Sequence, residues 1–176
     1  STDIADIACW ALGEKFYASP AELIAKKRGL ITDEDNIAMK MGRRLERVIG
    51  EGYAEDTGNP VIAVPKFSLW EHPEVPWIVS SGDFTTVEPV DAELVTVPLE
   101  CKSNGDLWEK GEDGERQSQM RDVVQSQIQS ACLRAPLGIV AAFVSRAAAR
   151  TSSRSASASR ISRLRSTCRR SEERRV

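Results

Sequence analysis

The sequence predicts an α/β domain in which a mixed β-sheet is flanked by helices. Three observations carry this reading. Apolar residues recur at helical spacing over residues 36–56, and the periodicity then changes to that of strands between Val61 and Cys101. A second long helical stretch follows, and after it an apolar run, Leu137–Val144, suited to a buried strand. At 176 residues the chain has one domain's length, enough to bury a real core.

In chain order, Asp3–Leu12 reads as a short helix with Ile4, Ile7, Ala8 and Ala11 on one face. Ser19-Pro20 supplies an N-cap and a first-turn proline for a helix over Ala21–Arg28, which Gly29 ends. The polar run Thr32-Asp33-Glu34-Asp35 starts a longer helix, Asn36–Asp56, with Ile37, Met41, Leu45, Val48, Ile49 and Tyr53 at helical spacing; Gly58-Asn59-Pro60 stops it. Val61–Leu69, Trp77–Ser80 and Glu93–Cys101 read as a three-strand meander. Gly105–Gly114 reads as a polar loop and Glu115–Leu133 as the second long helix. Helices, meander, helix and strand in this order give a mixed sheet.

Composition excludes several classes. No apolar run is long enough to cross a bilayer, and no signal-peptide pattern is present, so a cytoplasmic protein with no membrane partner is expected. Cys9, Cys101, Cys132 and Cys168 stand far apart, which argues against a zinc knuckle, an iron–sulfur cluster or a disulfide framework. The single histidine, His72, gives no support for a zinc site or a histidine-based triad. Phosphate-cradling glycine motifs of ATPases and dinucleotide-binding enzymes are absent.

Charge is unevenly spread. Residues 146–176 hold ten Arg and two Glu, so the net charge of −2 leaves −10 on the first 145 residues. A body this acidic must concentrate positive charge locally, or use bound cations, to handle nucleic acid. The chain therefore divides into a folded domain, 1–145, and an Arg/Ser/Ala-rich tail, 146–176, expected to be disordered for want of apolar side chains. Such a tail could bind nucleic acid nonspecifically. Its abrupt onset after Val144 fits better with GC-rich coding sequence read out of frame, a frameshift near residue 145 that resequencing would test.

The sharpest chemical signal is Asp83 followed, after 16 residues, by Glu100-Cys101-Lys102. Strand alternation puts Glu100 and Lys102 on one face with Cys101 pointing away. Mg²⁺ favours hard oxygen ligands and keeps several waters, so Asp83 and Glu100 could hold it with the Cys101 backbone carbonyl as a third ligand; Mn²⁺ would substitute. Lys102 would position and help deprotonate a water, or offset charge in the transition state. Lys102→Ala is expected to abolish cleavage and leave the fold intact, since it removes one surface cation and little packing. Alone the motif is weak, because Glu and Lys alternate on many solvated strand faces. Glu46, on the first long helix, could reach the metal directly or through water, though Arg43, Arg44 and Arg47 beside it fit a solvated face equally. Gln125, Gln127 and Gln129 lie on the second long helix; Gln125 and Gln129 are one turn apart while Gln127 points elsewhere, so all three cannot serve one site.

Taken in order, these residues resemble the YqaJ-like phage recombinases, the lambda-exonuclease type of the PD-(D/E)XK nuclease superfamily. The resemblance runs from Ser1 to Val144. It rests on Ser1-Thr2-Asp3-Ile4-Ala5, Ser19-Pro20-Ala21-Glu22-Leu23, Lys27-Arg28-Gly29 and Met41-Gly42-Arg43-Arg44-Leu45-Glu46 with Tyr53 and Thr57-Gly58. His72-Pro73-Glu74, Pro76-Trp77, Asp83, Glu100-Cys101-Lys102 and Gln125-Ser126-Gln127 complete it. It implies a restriction-endonuclease-like core, Asp83 and Glu100 as metal ligands, and Lys102 as the catalytic lysine. It further implies Glu46 as a helix glutamate near the metal and Gln125 or Gln127 as the helix glutamine. The implied activity is exonucleolytic degradation of linear double-stranded DNA, which leaves single-stranded tails for an annealing protein, and a homo-oligomeric ring is in keeping with it. An endonuclease of the same superfamily and a catalytically inactive DNA-binding prophage remnant remain as alternatives. Three positions depart from the pattern: Gly82 stands for the usual proline, Phe84 for the usual glycine, and Asp122-Val123-Val124 where a tyrosine is expected. Glycine at 82 is expected to permit the turn.

Overall fold

The structure, a computed structural model, describes residues 2–32, 34–103, 109–110, 116–117, 119–144 and 160–167. Its helices are α1 (Thr2–Leu12), α2 (Pro20–Lys27), α3 (Ile37–Thr57) and α4 (Met120–Leu133). Its strands are β1 (Val61–Ala63), β2 (Trp70–Glu71), β3 (Val79–Ser80), β4 (Phe84–Val90), β5 (Glu93–Lys102), β6 (Glu109–Lys110), β7 (Arg116–Gln117), β8 (Leu137–Val144) and β9 (Arg160–Thr167). The central sheet runs β1-β4-β5-β8-β9, with β5 and β8 parallel and the other neighbours antiparallel. The expected mixed α/β architecture is what forms.

Local chemistry explains the helix boundaries. Ser19 and Glu22 form a reciprocal capping box, with Pro20 opening α2. Asn36 caps α3 by accepting from the Met39 N–H, and the helix closes at Gly58.

The meander is where the structure departs most from expectation. Val61–Leu69 is a strand only to Ala63, because Pro65 and a turn closed by Ser68 N–H to the Pro65 carbonyl interrupt it. Trp77–Ser80 shortens to Val79–Ser80. Strand β4 was not expected at all: Glu88 and Pro89 break its apolar alternation, and its hairpin to β5 turns at Asp91 and Ala92, both at positive φ, without the glycine that usually marks such a turn. Helix α4 begins at Met120 rather than Glu115, since Arg116–Gln117 is β7; the expected loop at 105–114 lies outside the described residues except for β6.

Residues 160–167, expected to be disordered, form β9 along the whole of β8. Main-chain pairing accounts for this, because a strand on an open sheet edge needs no apolar side chains of its own. The remainder of 146–176 lies outside the described residues.

Strand β5 sits in the middle of the sheet and is covered on both faces. Val97, Leu99 and Cys101 join Ile49 and Tyr53 of α3 and Leu137, Ile139 and Ala141 in the hydrophobic core. The opposite face carries Glu100, which is only 4% exposed under α4. The reading that leaves Glu100 and Lys102 on a solvated face is thereby corrected.

Candidate active site

The site forms where β4, β5, α3 and α4 meet. The β4–β5 ladder ends at the pair Phe84↔Leu99, and beyond it the Asp83 carboxylate accepts the Cys101 N–H at 2.9 Å. A backbone amide thus fixes Asp83 beside Glu100. Lys102 follows on the same face of β5 as Glu100, and its Nζ donates to Glu100 Oε1 at 2.8 Å and to Gln125 Oε1 at 3.0 Å. Gln125 Nε2 in turn donates to Glu100 Oε1 at 2.6 Å. These residues, with Glu46 from α3, line one cleft of about 990 Å³ that also reaches Asp6, Tyr17, Lys26, Arg43, Arg121 and Asp122.

The electrostatics are those of crowded carboxylates. Burial, and next the charge of Glu100, raise the Asp83 carboxyl to about 7 against the opposing pull of the Cys101 N–H. Burial and then Glu100 also raise Glu46. Burial works to lower the pKa of Lys102, but Glu100 and Asp122 more than offset it, so its ammonium is held above the ordinary lysine value. The Lys102 side chain is 16% exposed and lies 3.8 Å from Asp122. Lys102 is therefore a half-buried partner of two carboxylates and not a surface cation. Replacing it by alanine would remove a positive charge that two carboxylates share, although Gln125 and Gln129 would still donate to Glu100. Burial raises the Cys101 thiol, which keeps it neutral within the core and leaves only its backbone carbonyl as a candidate ligand.

The structure brings together Asp83, Glu100, Lys102, Gln125 and Glu46, but not Gln127, which is half-buried and does not line the cleft. In its place stands Gln129, fully buried, whose Nε2 donates to Glu100 Oε2 at 2.6 Å and to the Ser81 carbonyl at 2.9 Å. With the amide so committed, Gln129 Oε1 has no hydrogen-bond partner among the described residues, at a cost of about 1–3 kcal/mol. The sequence reading also passed over Arg121, Asp122 and Asp6. Arg121 Nε donates to Asp6 at 2.5 Å, and its guanidinium lies 4.5 Å from the Tyr17 ring, tying α1 to α4 beside the cleft. The signal was present as Arg121, Gln125 and Gln129 at four-residue spacing. It was hidden because the buried face of α4 is polar: Asp122, Ser126 and Ser130 are buried too, while Val123, Val124 and Ile128 are only half-buried.

Two departures from the family pattern have packing counterparts. Gly82 does not adopt positive φ, so the expectation of a turn-permitting glycine is corrected; a Cβ there would come within 2.4 Å of the Trp70 indole. The Phe84 ring lies against α3 at Gly50, where a Cβ would come within 3.1 Å. His72 serves its own loop, with Nδ1 accepting from the Glu74 and Val75 N–H groups.

Among the described residues, no group of three or more His, Cys, Asp and Glu side chains converges as a metal site, and no helix is long and apolar enough to cross a membrane. A search of the curated proteins returns no match. Among solved structures, two of an alkaline exonuclease, LHK-Exo, share the fold. One is the complex with dAMP, at TM-score 0.55 and 22% identity over 82% of this chain. The other is the protein from Laribacter hongkongensis, at TM-score 0.52 and 24% identity over 82% of this chain. The chain spans 66% of the length of each, and the shared architecture is restriction-endonuclease-like. The YqaJ-like viral recombinase domain matches residues 1–133, and the chain belongs to that family.

Proposed function

We propose that this chain is a Mg²⁺-dependent exonuclease that degrades linear double-stranded DNA in phage-type recombination. The single observation that carries the reading is the convergence of Asp83, Glu100, Lys102 and Gln125 on one cleft, with Glu46 beside them.

The donor chemistry fits a hard divalent cation. Burial, and next the charge of Glu100, raise the Asp83 carboxyl, and a bound cation would offset the repulsion between the two carboxylates. Two carboxylates and the Cys101 carbonyl, with waters completing the shell and Glu46 acting directly or through one of them, make a set suited to Mg²⁺ or Mn²⁺. When bound, the ion supplies Lewis acidity for water activation and for the phosphate's charge.

The protein's own groups do the rest. Gln125 holds Lys102 and Glu100 in one geometry. Lys102, held against Glu100, would position an attacking water and help to deprotonate it, or offset charge in the transition state. The acidic body makes a cation at this cleft the natural answer to phosphate repulsion. On the same reading, the single-stranded product passes to an annealing protein, and the chain works as a homo-oligomeric ring.

The test is cleavage by the purified chain in Mg²⁺. Linear duplex DNA shortens from its ends while closed circles survive. Nicked circles point instead to an endonuclease, and intact linear DNA to a binding-only protein.

A further inference from the structure

We propose that Gln129 is a positioning residue that sets the separation of Asp83 and Glu100, and with it the affinity of the site for a divalent cation. The inference rests on the metal-dependent reading given above.

Gln129 is fully buried in α4 and does not line the cleft, so it has no path to a substrate. Its amide nitrogen reaches two places at once. One is Glu100 Oε2, on β5. The other is the carbonyl of Ser81, two residues before Asp83. Asp83 makes the reverse link by accepting the Cys101 N–H, next to Glu100. Two ties therefore cross between the strand carrying Glu100 and the segment carrying Asp83.

The division of labour on Glu100 is clear. Lys102 and Gln125 hold Oε1 from the cleft side. Gln129 alone, among the hydrogen bonds resolved for described residues, holds Oε2, and it does so from behind. Among the described residues the Gln129 amide is held through its donor side, its Nε2 reaching both Glu100 and Ser81. Outer groups of this kind orient the carboxylates that bind a metal, and their removal typically weakens affinity by about 10–100-fold.

The experiment is calorimetric titration of Mn²⁺ into the full chain, with thermal melting of the metal-free protein alongside. Gln129→Met keeps the volume and removes the donor; Mn²⁺ affinity is expected to fall about tenfold or more, with cleavage restored at high Mn²⁺ and KM for DNA unchanged. Gln129→Asn keeps an amide but draws it back by one methylene, and an intermediate loss is expected. It also supplies the answer if the methionine variant melts too low to titrate. Lower melting in both variants with wild-type Mn²⁺ affinity overturns the positioning role and leaves the nuclease reading standing. A wild-type chain that binds no Mn²⁺ overturns both.

Discussion

Glu88 and Glu100 are both buried carboxylates on adjacent strands, and the hydrogen bonds described at each differ in kind. Glu88 on β4 is 0% exposed and accepts from the Tyr53 hydroxyl at 2.7 Å and the Asn59 side-chain amide at 3.1 Å. These two partners are neutral, and they fasten the end of α3 to the sheet. Glu100 on β5 is held by a lysine and two glutamines, but it also faces Asp83 and Glu46, whose pKa values it raises. Carboxylates crowded as they are around Glu100 are characteristic of functional sites, and on the proposed reading that crowding serves the cation.

The difference can be broken experimentally, and the largest effect is expected at Glu100. Glu100→Gln should lower the single-turnover cleavage rate by about 100-fold or more, whereas Glu88→Gln should leave the rate per folded molecule near wild type. Equal losses in both would erase the distinction. Tyr53→Phe removes a donor from Glu88 and should cost about 1–3 kcal/mol in chemical denaturation without changing cleavage. Gly82→Ala should cost a similar 1–3 kcal/mol, because the Trp70 indole must move. That variant should also slow cleavage, since Asp83 follows directly; a stable, fully active variant would show that Trp70 does not hold this segment.

The last effect is on pH. The native Asp83 carboxyl, raised to about 7 from the ordinary aspartate value of 3.8, keeps a proton that the unfolded chain has lost. Its contribution to metal-free stability is therefore present below about pH 4, falls as pH rises towards 7, and is gone above that. The difference between wild type and Asp83→Asn, followed by denaturation from pH 4 to 8, should show this slope. A pH-independent difference would mean that Asp83 is not held in its protonated form.

The same pair of glutamates shows what could be read from the sequence. Glu100 was legible because Lys102 follows it at strand spacing and Asp83 precedes it, a pattern of types that chemistry explains. Glu88 was not, because a single acidic residue before Pro89 looks like a loop; its burial depends on Tyr53, 35 positions away. Helix α3 and strand β8 were legible from periodicity. The polar buried face of α4 was not, since pattern reading assigns burial to apolar residues and glutamine to the surface. That is why Gln129 was weighed only as a turn-mate of Gln125, and why Gln127 was retained. Strand β9 was illegible for a different reason: its pairing on β8 is made by backbone groups that carry no residue signature.

The most direct test of the account is Mn²⁺ titration of three proteins: wild type, Glu100→Gln and Glu88→Gln. The account predicts that wild type and Glu88→Gln bind the ion with similar affinity and that Glu100→Gln binds it at least about tenfold more weakly. Undiminished binding by Glu100→Gln would contradict the claim that the crowded carboxylates of this cleft form a cation site.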